Sequence, residues 1–423
     1  MVELLDRAGI LEVSKPSQAD VIIINTCGFI APACAESLHA LQKAARAKRK
    51  DQVLIAAGCL SQRDRQRLLQ QVPGIDAILG TRRWMDILSV VHELETQPHQ
   101  LVCHVPQNVP IGCDEHGVLR AVVQGGSAYL KIGDGCDRRC AFCTIPLIKG
   151  PAVSRPLVDI LQDARQLESE GVQEIILISQ DTTSYGRDLK LPDGLAHLLQ
   201  ELTRSVPQVP WIRCLYMFPG SITPALIRVM AESPQLLHYL DLPLQHAHPA
   251  VLQRMKRPAD VEEVRHSIEL LRSALPGLAL RSTFIVGFPG EGEAEFQTLL
   301  DFVAEIQFDR LGIFPYYSEP GTAAFELEDD VPTEIKEERL NRLAELQEKV
   351  SLEKNQRWIG KTLQVLVEGV DRSIVVGRSY RDAPEIDGLV IAHGQAQVGH
   401  LVDVRVNGAL VHDLSGEIID TRI

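Results

Sequence analysis

Apolar residues over the first hundred positions occur in two alternating textures. The unbroken runs DVIIIN (from Asp20) and QVLIAAGC (from Gln52) read as buried strands, and apolar positions recur at helical spacing over about Pro32 to Lys50, Gln62 to Gln71 and Arg82 to Glu95. That alternation predicts an α/β domain built on a parallel sheet. From about Glu95 to Gly126 the chain is rich in His, Pro, Gly and Gln and loses helical period, which predicts a linker. Alternation resumes at Ala128, with strands expected in AYLKIG, EIILIS (Glu174 to Ser179), WIRCLY (Trp211 to Tyr216), HYLDLPL (His238 to Leu244), LRSTFIVGF (Leu280 to Phe288) and FDRLGIFPY (Phe308 to Tyr316). The gaps are long enough for right-handed crossovers, so the pattern predicts a partial (β/α)6 barrel with its active-site loops at the C-terminal strand ends. Thr333 to Gln356 reads as a charged helix packing as an outer strut through Ile335, Leu340, Leu343, Leu346 and Val350. After Gly360, short alternating segments punctuated by Gly and Asp predict a small all-β barrel or sandwich. Three domains result: 1–115, 122–357 and 358–423.

Composition narrows the class. A chain of 423 residues is too long for one ordinary core. Its charged fraction of 23% is that of a soluble globular protein, and no apolar run approaches the roughly 20 residues of a membrane helix. The start, MVELLDRAGILEVSKP, lacks the features of a signal peptide, so a cytoplasmic protein is expected. In that reducing compartment nine cysteines point to ligands or buried thiols before disulfides. The net charge of -13 argues mildly against tight grip on nucleic-acid backbones and suits a basic protein partner.

The sharpest chemical signal is GDGCDRRCAFCTIP, which places Cys136, Cys140 and Cys143 at C-x3-C-x2-C spacing after a predicted strand. Structural zinc takes four ligands, whereas an iron-sulfur cluster held by three thiolates keeps one iron open for chemistry. The competing readings are zinc with a distant fourth ligand and coincidental core cysteines. An open iron suits S-adenosylmethionine, which can chelate it and be cleaved reductively to a 5′-deoxyadenosyl radical.

On this motif the chain resembles the radical S-adenosylmethionine superfamily, in which Phe142 would stand against the cofactor. The segments INTCGFIAPACAES, AAGCLSQR, CTIPLIKGPAVSRP, LISQDTTSYG, YLDLPLQHAHPAVLQRMKRP and RSTFIVGFPGEGEAEF extend the resemblance to the methylthiotransferases over nearly the whole chain. NTCGFI, PLIKG and ISQDTTSYG resemble the RimO type more than the MiaB type. The resemblance implies an N-terminal domain with an auxiliary cluster, a barrel with the radical cluster, and a C-terminal TRAM domain that grips the substrate. A generic β cap is the plainer reading of that last unit. It implies methylthiolation of the β-carbon of an aspartate in ribosomal small-subunit protein twelve, free or on the ribosome. One S-adenosylmethionine methylates a sulfur on the auxiliary cluster, and a second yields the radical that removes hydrogen from the aspartate; the carbon radical then captures the methylthio group. The cofactors so implied are two 4Fe-4S clusters and S-adenosylmethionine, with an electron donor such as flavodoxin or ferredoxin.

Cys27 and Cys59 each follow an apolar strand, and parallel strands would bring them to one sheet edge, so they are the expected auxiliary-cluster ligands. Buried strand-end thiols are the alternative. The family pattern also has a third cysteine in an early GCxKN segment, and MVELLDRAGI resembles the later part of the helix that follows it. A coding start placed too late is favoured over a variant with an incomplete cluster. Cys34 lies roughly two helical turns, about 10 Å, beyond Cys27 and is a poor substitute. Cys103, Cys113 and Cys214 match no ligand position. Cofactor contacts are expected from Gln180, Asp181, Arg213, Gln245, Arg281, Ile285 and Gly287, near or on barrel strands. Arg213 and Arg281 could instead be salt-bridged barrel residues, and His246 a structural histidine. Gly287, Gly290 and Gly292 relax a turn, either for adenine to approach or as a plain turn. Arg155 could help hold the cysteine loop, and Lys149 stands where relatives usually carry arginine, which keeps the charge but loses the planar fork. Two rivals remain: a tRNA adenosine methylthiotransferase and a catalytically impaired, cluster-containing ribosome-binding protein.

Overall fold

The computed structural model describes residues 1–97, 100–106 and 118–421. By packing, the chain divides into two units: residues 1–119, 134–153 and 317–326 form one, and residues 120–133, 154–316 and 327–423 the other.

In the first unit, β1 (Val21–Thr26), β2 (Val53–Gly58), β3 (Ala77–Gly80) and β4 (Val102–His104) form an all-parallel sheet in that order. Alternation along β2 explains why both faces are covered. Leu54 and Ala56 join the core under the helix Ala31–Ala47, while Ile55 and Ala57 join the core under the helix Ile87–Thr96. The expected helix from Gln62 to Gln71 is two helices, Cys59–Arg63 and Arg65–Gln71. They part at Asp64, whose side chain accepts the Arg67 amide at 3.1 Å and caps the second. The expected linker from Glu95 to Gly126 is corrected in two places. Val102–His104 is the fourth strand of this sheet, and Ala121–Gln124 (β5) pairs antiparallel with the next strand. Only Val102 of β4 is buried, and such a short segment carries no readable period. The rest of that stretch, including Cys113, lies largely outside the described residues.

In the second unit, β5 and β6 (Ser127–Lys131) precede the two-residue strands β7 (Gly133–Asp134) and β8 (Val153–Ser154), where the chain passes between the units. Then come β9 (Glu174–Ile178), β10 (Trp211–Cys214), β11 (Tyr239–Asp241), β12 (Ala279–Val286) and β13 (Arg310–Pro315). They form two sheets, β10-β9-β6-β5 and β11-β12-β13, with β6, β9 and β10 parallel in the first and all three strands parallel in the second. A parallel bridge between Ile212 and Leu236 continues the pattern from the end of one sheet toward the start of the other, giving the partial six-stranded barrel expected. The helix Thr333–Gln356 buries a more polar face than expected. Leu343 and Val350 are buried, but so are Lys336, Arg339 and Gln347, which bond to Asp329, Glu291 and the Phe308 carbonyl.

The C-terminal segment closes into a five-stranded barrel, β14 (Thr362–Asp371), β15 (Ile374–Ser379), β16 (Val390–His393), β18 (Leu414–Thr421) and β17 (Leu401–Ala409) in spatial order. Val365, Val367, Val375, Val390, Val402 and Val404 fill its interior. It meets the larger barrel at the beginnings of that barrel's strands. There Trp211, Tyr239 and Ala279 share one core with Leu366, Ala383 and Leu401.

Candidate active site

The loop carrying Cys136, Cys140 and Cys143 is fixed from within. Gly135 has φ +75°, and a Cβ there would stand 2.0 Å from the Pro151 carbonyl oxygen, so only glycine lets the two ends of the loop meet. The Cys136 amide donates to the Gly150 carbonyl at 3.1 Å, and Lys149 pairs with the buried Asp134 at 2.9 Å. Lys149 therefore closes the loop, whereas Arg155, expected in that place, pairs instead with Asp163 and the Lys131 carbonyl. Cys136 is buried, Cys140, Phe142 and Cys143 are half-buried, and the Arg138 amide points at the Cys136 sulfur at 3.4 Å. Three soft thiols on a self-closed loop, one approached by a backbone N–H, fit the donors that an iron-sulfur cluster takes.

Cys27 and Cys59 belong to the same unit. β1 and β2 pair in parallel through Thr26 and Gly58, so the two cysteines leave adjacent strands at the same edge. The Cys27 amide donates to Ser37 Oγ at 2.9 Å, which ties the loop to the helix behind it. Cys59 opens the short helix Cys59–Arg63 directly after Gly58, whose φ is +108°. Thr144 Oγ1, one residue beyond Cys143, donates to the Phe29 carbonyl at 3.1 Å, so the two cysteine-bearing loops touch. Cys34 is 3% exposed in the core between Leu38 and Leu60, and burial pushes its thiol up. It also walls a cavity of about 530 Å³ that Arg63, Arg67, Arg82 and Glu319 line. Cys103 is exposed on β4, and burial pushes the Cys214 thiol on β10 up to about 12, leaving it inert.

The expected cofactor contacts lie in the second unit, apart from Phe142. Gln180 and Asp181 follow β9; Asp181 is buried and accepts from the Thr183 hydroxyl, and Gln180 Oε1 is buried without a hydrogen-bond partner among the described residues. A buried orphan acceptor beyond a barrel strand fits a polar ligand such as S-adenosylmethionine. Arg281 pairs with Asp241 at 2.8 Å; burial opposes its charge, but Asp241 outweighs that and holds the guanidinium protonated. Ile285 is half-buried on β12. Gln245 and Tyr216 hold left-handed backbone conformations, φ +79° and +60°, just past β11 and β10. Tyr216 is held so by the Asp241 carboxylate at 3.1 Å and the Thr182 amide at 3.1 Å, and the residue is 43% exposed. Gly287 (φ +70°) packs against Lys336, whose Cγ a Cβ would meet at 2.2 Å. Glu291 closes that turn by accepting the Gly287 amide and pairing with Arg339, its carboxylate stands 3.3 Å from His246 Nε2, and burial pushes the His246 imidazole down.

Arg213 stands apart from these. Wholly buried, it pairs with Glu174 at 2.7 Å, donates to the Tyr380 carbonyl of the C-terminal barrel at 2.9 Å and lies over the Tyr239 ring. Arg378 completes the arrangement from β15, reaching Glu174 at 2.6 Å. Burial pushes the Glu174 carboxyl up, but Arg213 and Arg378 outweigh it and hold the group below the ordinary carboxylate range. This network joins the two barrels. Nothing in the sequence revealed Glu174, Arg378, Glu319 or Tyr216, because their partners are remote in the chain or their mark is a backbone angle.

Comparison with known proteins gives the class first. A model of the radical SAM superfamily matches residues 130–303, one of the TRAM domain matches 359–419, and one of the uncharacterized protein family UPF0004 matches 1–80. A solved radical S-adenosylmethionine methyltransferase, TsrM from Kitasatospora setae, shares the fold at 13% identity and a TM-score of 0.53, covering 72% of this chain and 63% of its own. The chain is thus built as a radical SAM protein, whose domains imply S-adenosylmethionine and iron-sulfur clusters. The ribosomal protein uS12 methylthiotransferase RimO of Roseiflexus sp. is 45% identical over 442 residues, covering 99% of this chain and 93% of the relative. The one from Chloroflexus aurantiacus is 46% identical over 433 residues, covering 98% and 95%. The chain belongs to the RimO family of methylthiotransferases. No helix among the described residues is long and apolar enough to cross a membrane.

Proposed function

We propose that the protein methylthiolates the β-carbon of an aspartate in ribosomal protein uS12. The observation that carries this reading is the gathering of five cysteines in one unit, three on a self-closed loop and two at neighbouring strand ends, in a chain that matches uS12 methylthiotransferases over nearly its full length. In this reading Cys136, Cys140 and Cys143 hold one 4Fe-4S cluster, and Cys27 and Cys59 are ligands of a second. When bound, these groups and S-adenosylmethionine supply a carbon-centred oxidant and a sulfur carrier.

The chain's own residues do the positioning. Phe142 lies beside Cys143 to pack against the cofactor. Gln180 offers a buried acceptor, Asp181 and Gln245 stand at strand ends, and Ile285 and Gly287 supply apolar and backbone surface. Arg281, kept charged by Asp241, supplies fixed positive charge, and Arg213 steadies the barrel behind them. The electron donor is a flavodoxin or ferredoxin, and the setting is the cytoplasm, where uS12 is made.

The deciding experiment is mass spectrometry of uS12 and of tRNA from a strain lacking the gene. Loss of the methylthio mass from uS12 is expected. Loss from tRNA alone would replace this reading with the tRNA one.

A further inference from the structure

The segment 317–326, which follows β13 in the chain, packs entirely within the cysteine-bearing unit and touches both cysteine loops. At one end Ala324 donates its amide to the Ala141 carbonyl, between Cys140 and Cys143, at 2.8 Å. At the other end Glu319 is 4% exposed and uses both carboxylate oxygens. Oε1 accepts the Ala31 amide at 2.6 Å, at the start of the helix behind Cys27, and Oε2 accepts Arg63 Nη1 at 2.8 Å. The same Nη1 donates to the carbonyl of Gly28, next to Cys27, at 2.7 Å, and Nη2 returns to the Pro320 carbonyl at 3.1 Å. Arg63 itself ends the helix that Cys59 begins. One buried carboxylate is therefore bonded, directly or through one guanidinium, to the elements that carry Cys27 and Cys59, on a strap whose other end holds the Cys140–Cys143 turn.

We propose that Glu319 is a positioning residue that fixes the Cys27 and Cys59 sites in register with the Cys136–Cys143 loop. The proposal rests on the reading of Cys27 and Cys59 as auxiliary-cluster ligands. The bonds of Glu319 run to the Ala31 amide and to Arg63, which flank the cysteines, so its work is geometric. Coupled chemistry at two sites tolerates little slack, since a displacement of about 1 Å can cost roughly a hundredfold in rate. A buried charge with every oxygen used is the kind of group that fixes one arrangement against its neighbours.

The test uses the full chain with reconstituted clusters. Glu319→Gln keeps the shape and the acceptor for Ala31 but leaves Arg63 without its countercharge. Iron per protein should match the parent, and 5′-deoxyadenosine should form within about twofold of it, while the ratio of 5′-deoxyadenosine to methylthiolated uS12 rises about tenfold. In the cluster-free protein, amide hydrogen exchange over residues 27–31 should quicken while residues 136–143 keep their protection. Arg63→Lys, which retains the charge but loses the fork, should raise the ratio less. An unchanged ratio, loss of iron in Glu319→Gln, or an equal fall in both products would overturn the proposal. Cys27→Ser prepared in parallel separates the two levels: full iron in that variant sinks the ligand reading itself, whereas lowered iron there with an unchanged ratio in Glu319→Gln sinks the positioning role alone.

Discussion

The two sets of cysteines are held in opposite ways. Cys136, Cys140 and Cys143 lie within eight residues on a loop that closes on itself through Gly135, the Cys136–Gly150 hydrogen bond and the Lys149–Asp134 pair. Cys27 and Cys59 are brought together only because β1 and β2 pair in parallel, and their surroundings are completed by Arg63 and by Glu319, 256 positions further along. A local loop can be recognised by its spacing, because its geometry is written in adjacent residues. A site assembled from strand ends has no spacing of its own, and its shape depends on sheet register and on distant side chains.

The largest test of this contrast is Cys140→Ala in the reconstituted protein. It should abolish 5′-deoxyadenosine formation, followed by chromatography, since in the proposed reading that loop holds the radical cluster. Cys27→Ser should instead abolish methylthiolation of uS12 while 5′-deoxyadenosine still forms; loss of both products would show that the sites are not separable. Gly135→Ala probes the loop's self-closure. A left-handed backbone position and a Cβ against Pro151 should cost about 2 kcal/mol or more, read as lower iron content while the β1–β2 region keeps its exchange protection.

A smaller test addresses the buried network joining the barrels, remote in sequence from either cysteine set. Glu174→Gln takes the carboxylate from Arg213 and leaves Arg378 only Glu368, and should lower unfolding stability by about 3 kcal/mol at neutral pH, measured by denaturant titration. Because the folded Glu174 carboxyl is held below its ordinary range, its contribution is full above the unfolded value and fades as pH falls through the folded one. The parent should therefore lose stability toward acid more steeply than the variant. Parallel acid limbs would assign that loss to other carboxylates.

The elements with strong period were legible. The first two strands of the N-terminal sheet, the six barrel strands and the small β barrel all follow from apolar runs and alternation, and their ends shifted by only a few residues, whereas the third strand of that sheet, Ala77–Gly80, was not expected because four buried residues are too few to show a period. Val102–His104 escaped because three residues with one buried side chain have no period, and it is a strand only because β3 offers it an edge. The helix Thr333–Gln356 was legible as a helix but not in its buried face. Lys336, Arg339 and Gln347 go inward because Asp329, Glu291 and the Phe308 carbonyl await them there. Arg213 illustrates the same limit: its place in the third strand was readable, but its fully buried partners were not.

The sequence by itself determined the chemistry and the family: three thiols at a fixed short spacing, and ordered segments spanning the chain. The tertiary structure alone decided which distant groups surround them, from Glu319 bridging Arg63 and Ala31 to Glu174 joining two barrels. The reason is physical. Residue type and local period set what a segment can do, whereas a buried charge finds its place only when elements hundreds of residues apart have packed and left it a single set of partners.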